Sequence, residues 1–519
     1  MTDTKFSVAM ASGYAFDGPS LLLGAPLLDG AVAAEARVRV PLPMMNRHGL
    51  IAGATGTGKT KTLQLLAGQL SDAGVPVFVA DLKGDLSGLA APGVLNAKIE
   101  ERSKSIGVPF APASYPVEFL SLTGENGVQL RATVSSFGPL LLARALGLND
   151  TQQSVLSLVF KYCDDKGLLL LDLPDLKAAL QYLTGDGAAA LAEYGGMSKA
   201  TVGVLLRKMV ELEQQGAGKF FGEPEFEVED LIRTDAHGKG IVSALELSGV
   251  QDRPALFSTF LMWLLASLYR ELPEVGDLEK PKLVFFFDEA HLLFDGASKA
   301  FLQQVEQVVR LVRSKGVGVF FVTQTPKDVP ADVLAQLGHR VQHALRAFTP
   351  DDEKALRATA NTFPRSEFYD VAKTLTSLGI GEALVTVLTP RGIPSPVVAT
   401  LLAPPSSLMA PIPPAELQAR VAGSPLQAAY GAAVDRESAR ETLAARAAAP
   451  TAAATPASAA TPAPRSSRRA APADPTVAEQ VGKALNSPLA RTVAGTLVRG
   501  LFGVLGVPAT ARRRRRRLF

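Results

Sequence analysis

The sequence predicts an α/β fold built on a largely parallel central sheet, and three observations predict it. An apolar approach, His48-Gly49-Leu50-Ile51-Ala52, runs into a glycine-rich loop and then into a helical stretch. Two apolar runs, Val75-Pro76-Val77-Phe78-Val79-Ala80 and Leu283-Val284-Phe285-Phe286-Phe287, end abruptly in acidic residues. Strand-like and helix-like patterns alternate along most of the chain, as strand-crossover-strand units require.

The glycine-rich loop is Gly53-Ala54-Thr55-Gly56-Thr57-Gly58-Lys59-Thr60, followed by the helical Lys61-Thr62-Leu63-Gln64-Leu65-Leu66-Ala67. This is the strand, G-x-x-x-x-G-K-T loop and helix of a phosphate-binding P-loop. Its glycines let successive backbone N–H groups converge on phosphate oxygens at a helix N-terminus. Gly53, Ala54, Thr55, Gly56, Thr57, Gly58, Lys59, Thr60 and Lys61 are the expected nucleotide contacts. Lys59 would reach the β and γ phosphates, and Thr60 would offer its hydroxyl to Mg²⁺, a cation that prefers hard oxygen ligands.

Upstream, Phe6-Ser7-Val8-Ala9-Met10 and Ala36-Arg37-Val38-Arg39-Val40 read as short β-like pieces, ended by Pro41 and Pro43. Downstream, the run 75–80 delivers Asp81, Lys83 and Asp85 to its C-terminal end, where a buried parallel strand meets ligands in an α/β sheet. These three are either residues behind the phosphates or an ordinary strand-to-helix turn with Asp85 or Ser87 as a cap. Residues from about 138 to 235 turn helical, with Asp150 and Pro174-Asp175 as starts and Gly147 and Gly216 as stops, and form an insert without visible chemistry. The sheet resumes over 240–247, and a helix from Pro254 to Glu271 carries the single Trp263 as core.

The run 283–287 ends in Asp288-Glu289-Ala290-His291. A buried strand that exposes two carboxylates opposite a P-loop is a Walker B element: Asp288 would hold Mg²⁺, and Glu289 would orient or deprotonate the attacking water. His291 is expected as a packing residue or a neighbour of that pair. A helix over 298–314 presents Arg310 and Arg313 near its end. The strand after it closes in Thr323-Gln324-Thr325-Pro326, which places Gln324 either to sense the γ-phosphate or as a turn residue before the proline. A strand over Arg340 to Phe348, a helix start at Thr349-Pro350-Asp351-Asp352 and a hairpin formed by 382–388 and 395–400 complete the domain.

Composition sets bounds. At 519 residues with 47% hydrophobic and 20% charged residues the chain can bury a large core, and its net charge of +3 does not by itself argue for nucleic acid. The lone Cys163 excludes a disulfide framework and a cysteine metal site. The N-terminus lacks a secretory pattern and no run of about 18 apolar residues occurs, so a cytoplasmic chain is expected. Residues 443–475 are dominated by Ala, Pro, Thr and Ser, and 476–507 are weakly amphipathic and basic before six arginines at 512–517. Such a tail can neutralise DNA phosphates, rest on an anionic membrane face or act as a solubilising terminus.

Taken together, the P-loop with its approach, Asp81-Leu82-Lys83-Gly84-Asp85-Leu86-Ser87-Gly88-Leu89, Phe287-Asp288-Glu289-Ala290-His291, Thr323-Gln324 and His343 to Pro350 resemble the HerA/FtsK superfamily of P-loop ATPases. Within it the chain is most similar to the bacterial, YjgR-type HerA-like branch, over about residues 10–405. The resemblance implies a RecA-like core, ATP hydrolysis at the interfaces of a hexameric homo-oligomeric ring, and, as in better known relatives, movement of double-stranded DNA. It also implies an arginine supplied in trans to the transferred phosphoryl group, for which Arg346, Arg313 and Arg310 are the candidates in that order. The N-terminal barrel of archaeal HerA proteins is shortened here, and nothing resembles the winged-helix DNA reader of FtsK.

The expected layout is a β-like segment over 1–42, an ATPase domain over 43–405, an Ala/Pro-rich linker over 406–475 and a basic tail over 476–519. The leading expectation is a ring ATPase acting on DNA. An ATPase acting on protein or at a membrane, and a nucleotide-gated interaction protein, are the alternatives; Glu289 speaks against the last, because a pure binder needs no residue to orient water.

Overall fold

In the computed structural model, which describes residues 2–276, 278–295 and 299–448, one sheet of thirteen strands organises the chain. In chain order these are β1 (Ser20–Leu28), β2 (Ala31–Val32), β3 (Val38–Pro41), β4 (Gly49–Ala52), β5 (Val77–Asp81), β6 (Val117–Ser121) and β7 (Val128–Gln129). They are followed by β8 (Val242–Glu246), β9 (Leu283–Phe287), β10 (Val317–Thr323), β11 (His339–His343), β12 (Glu382–Thr386) and β13 (Val398–Leu402). Across the sheet the order is β2-β1-β13-β12-β11-β4-β10-β9-β5-β8-β6-β7, with β3 paired to β1. From β11 to β7 every pairing is parallel; β12, β13 and β1 continue it antiparallel. The largely parallel α/β class is therefore the one the sequence predicts.

The strands read as continuous apolar runs because both faces are covered. Alternation still sorts their side chains. Leu50, Phe78, Ala80, Phe285, Phe287 and Phe321 enter one core, whereas Ile51, Val77, Val79, Phe286, Phe320 and Val322 enter the other. On the first face lie the helix Pro254–Glu271, with Trp263 buried, and the helical insert; on the second lie the P-loop helix Lys59–Asp72 and the N-terminal helix. The insert comprises Val134–Ala145, Asp150–Asp165, Leu173–Thr184 and Lys199–Gln214. Its starts are capped one to three residues earlier than the expected signals, by Asn149 and Asp172, each closing a reciprocal capping box.

Three expectations are corrected. Phe6 to Met10 is not a strand but part of the helix Thr2–Gly13, because Phe6 and Met10, joined by Tyr14, bury one helical stripe. The strand expected over 340–348 ends at His343: β4 gives way to the P-loop after Ala52, so pairing on that side stops at Gln342. The linker expected from 406 instead carries the helices Pro414–Ala422, Pro425–Tyr430 and Ala439–Ala448, with Leu426, Tyr430, Ala439 and Leu443 buried in the first core. The remainder of that linker and the basic tail lie outside the described residues.

Candidate nucleotide site

The site begins where β4 stops. Gly53 N–H donates to the carbonyls of Thr323 (3.2 Å) and Gln324 (3.1 Å), and Ala54 N–H to that of Ala344 (2.9 Å), so the loop hangs from the C-terminal tips of β10 and β11. Gly58, at φ 112°, then turns the chain into the helix in a conformation that a Cβ would strain. The Lys59 ammonium folds over its own loop, 2.7 Å from the Gly53 carbonyl and 3.3 Å from that of Ala54. Thr55 and Gly56 are exposed and Thr60 is half-buried. Lys61 donates to the Met409 carbonyl, a contact with the segment expected as linker.

Strand β10 lies between β4 and β9, with Thr323 opposite Ala52 and Phe321 opposite Phe287. The sequence-predicted acids therefore emerge one strand away from the loop, at the same edge. Asp288 is buried, accepts the Glu289 N–H through Oδ1 (2.9 Å) and leaves Oδ2 buried without a hydrogen-bond partner. Burial, and next the charge of Glu289, push its carboxyl up to about 7. Glu289 sits at φ 48°, left-handed backbone that a residue with a Cβ adopts at a cost of about 1–2 kcal/mol. Its Oε1 pairs with the Lys83 ammonium and its Oε2 lies 3.3 Å from His291 Nδ1. Burial raises this carboxyl, but Lys83 outweighs it and the net shift is downward. Burial lowers the Lys59 ammonium, opposed by Glu289 and Asp288.

The turn 81–86 lies against this pair. Asp81, buried, gathers the N–H groups of Lys83, Gly84, Asp85 and Leu86 on its carboxylate, so it shapes the turn and sets the position of Lys83. Gln324 is exposed at the β10 tip and lines a cleft with His291, Asp295, Lys327 and Asp328. Arg346 is exposed on the loop that leaves β11 at this edge, whereas Arg310 and Arg313 are exposed just before β10 begins, at the opposite edge. Arg310 is also paired with Glu306 at 2.5 Å.

Sequence reasoning missed two participants. His343, read as a strand residue and part of a resembling stretch but given no role, is fully buried, and its Nε2 meets the Thr62 hydroxyl at 2.9 Å. Burial, then the nearby Lys59, lower its pKa to about 4, so the imidazole is neutral. Its signal was a polar residue at the tip of a strand beside the P-loop. The second is the segment 404–409, which runs beside the P-loop helix with Leu408 bonded to Ala91 (2.9 Å) and to Gln64 (3.3 Å); nothing in its proline-rich composition pointed there.

A P-loop and a two-acid strand on either side of one intervening strand define a P-loop NTPase fold. The helicase HerA-like C-terminal family model matches residues 28–513, and the chain belongs to that family. It is 22% identical over 374 residues to the DNA double-strand break repair helicase HerA of Sulfolobus acidocaldarius, covering 68% of this chain and 65% of that protein. The protein of the same name in Sulfurisphaera tokodaii is 23% identical over 372 residues, with the same coverage. The chain thus spans 65% of the length of these relatives. Among solved structures the bacterial conjugative coupling protein TrwBdeltaN70 shares the fold, with a TM-score of 0.51 at 14% identity over 79% of this chain and 94% of that one.

Proposed function

We propose that this chain hydrolyses ATP and couples the hydrolysis to movement along, or remodelling of, double-stranded DNA as one subunit of a cytoplasmic hexameric ring. The observation that carries the reading is the shared sheet edge: the loop 53–60 on one side of β10 and Asp288 and Glu289 on the other. Loop N–H groups and Lys59 bind the β and γ phosphates, with Gly53, Ala54, Thr55, Gly56, Thr57, Gly58, Thr60 and Lys61 completing the cradle. The Thr60 hydroxyl and Asp288 Oδ2 fit Mg²⁺, since that oxygen is buried without a partner. Among the described residues no group of three or more acids, histidines or cysteines could hold a metal ion, so Thr60 and Asp288 would hold Mg²⁺ together with non-protein oxygens of water and phosphate. When bound, Mg²⁺ neutralises charge on the phosphate oxygens. Glu289 orients the attacking water and accepts its proton, Gln324 contacts the γ-phosphate, and Arg346 of the next subunit meets the charge that develops there, with Arg313 next in order.

DNA as the polymer is supported by the names of the HerA relatives. Among the described residues no helix is long and apolar enough to cross a membrane. The test is ATP turnover at low salt, with and without double-stranded DNA, for the intact chain, Glu289→Gln, and a chain ending at 448, where the last described helix ends. Turnover that rises with DNA, falls with added salt and vanishes in Glu289→Gln is the expected result. Turnover abolished by the substitution yet indifferent to DNA would overturn the DNA assignment and leave an ATPase acting on protein or at a membrane.

A further inference from the structure

Glu289 is held by one carboxylate oxygen, and its other oxygen is buried and unpaired. Strands β5 and β9 are neighbours, with Ala80 opposite Phe287, so the turn 81–86 and the pair 288–289 leave the sheet side by side. Asp81 fixes that turn by accepting the N–H of Gly84 (2.8 Å) and Leu86 (2.8 Å) most closely. From it Lys83 spans to Glu289 Oε1. Its side chain is 47% exposed while that of Glu289 is 6% exposed, so a long, half-solvated lysine is ordered to meet a buried acid. Lys59 lies on the Gly53 and Ala54 carbonyls here, so Lys83 is the lysine bonded to Glu289. Glu289 Oε2 makes no hydrogen bond, and His291 Nδ1, 3.3 Å away, is out of bonding alignment with it. A carboxylate clamped at one oxygen retains both lone pairs of the other, here unpaired and shielded from solvent.

We propose that Lys83 is a positioning residue: by binding Oε1 it sets the direction of the Glu289 carboxylate and leaves Oε2 to take the proton of the attacking water. The inference rests on Glu289 acting as the base proposed above.

The experiment compares Lys83→Met, Lys83→Arg, Glu289→Gln and the double variant Lys83→Met/Glu289→Gln in the full chain, reading kcat, KM for ATP and Kd for ADP, with single-turnover rates for the slow variants. Lys83→Met is expected to lower kcat ~10- to 100-fold, the range typical of lost orienting partners, with KM and Kd within about twofold. Lys83→Arg restores most of the rate, and Lys83→Met adds no further loss once Glu289 is Gln. An equal loss in both backgrounds, a raised KM at unchanged kcat, or a faster Lys83→Met enzyme would each overturn the proposal, pointing respectively to an independent role, a phosphate contact or a latch. Glu289→Gln as active as the parent chain would instead overturn the reading on which the proposal rests.

Discussion

The helical insert and the nucleotide edge of the sheet obey opposite rules. In the insert, local and global preferences agree: Asn149 and Asp172 cap their helices reciprocally, Leu156, Leu176, Leu180 and Leu205 are fully buried, and the buried Asp175 accepts from Leu171, Asp172, Ser438 and Arg440. At the sheet edge they disagree. Asp85 Oδ1, Glu246 Oε1, Asp288 Oδ2 and Glu289 Oε2 are buried without hydrogen-bond partners, and Glu289 has a left-handed backbone. Buried polar atoms are ordinarily satisfied; unpaired ones occur elsewhere too, Gln215 Oε1 at the end of an insert helix among them, but at this edge four carboxylate oxygens are left so together. The insert contributes packing; the edge contributes the groups that the proposed function assigns to phosphate, cation and water.

That contrast can be broken by substitution. At the edge, Glu289→Gln keeps shape and volume and is expected to lower turnover by ~10²- to 10⁴-fold, the usual contribution of a general base, while the melting temperature holds. A rate within threefold of the parent would show that the edge does not carry the chemistry. In the insert the expectation is reversed. Leu205→Ala opens a cavity at a fully buried site and should cost ~2–5 kcal/mol in denaturant unfolding, with ADP affinity of the folded protein unchanged. A parallel loss of ADP affinity would show that insert and edge are coupled.

A third measurement sharpens the contrast through pH. Burial, and next Asp81 and Asp85, raise the Glu246 carboxyl from 4.5 to about 8. The folded chain therefore keeps a proton that the unfolded chain releases, and stability falls as pH rises from about 4.5 to about 8. Glu246→Gln removes that loss, so its gain in melting temperature over the parent should grow between about pH 5 and pH 8.5. A gain that is flat with pH would mean that the side chain is solvated or paired. The smallest effect is local: Asn149→Ala breaks a capping box and should cost about 1 kcal/mol without touching turnover, read from the shift in unfolding midpoint.

Much of the fold was legible because its signals are local. An apolar strand, the glycines at 53, 56 and 58 and the helix after them lie within one short stretch, and each residue type has its own backbone reason to be there. Five apolar residues followed by Asp288 and Glu289 announce a buried strand and its polar tip in the same way. Local windows also misled: Phe6 to Met10 is too short to separate a period of two from the i, i+4 stripe that Phe6, Met10 and Tyr14 form. The proline- and alanine-rich stretch after 405 looked like a linker because composition does not reveal that a few residues, Leu426, Tyr430 and Leu443, find an apolar groove.

By itself, then, the sequence determined the class of fold, the phosphate loop, the two-acid strand and the helices of the insert, since each is encoded in neighbours along the chain. Only the tertiary structure decided which groups meet across it. Lys83 and Glu289 are 206 residues apart, and Thr62 and His343 are 281 apart. Their contacts come from sheet order: β5 is paired to β9, and β11 is placed against the P-loop strand. Strand order is set by which apolar faces pack best over the whole chain, a sum over many distant contacts that no short window contains.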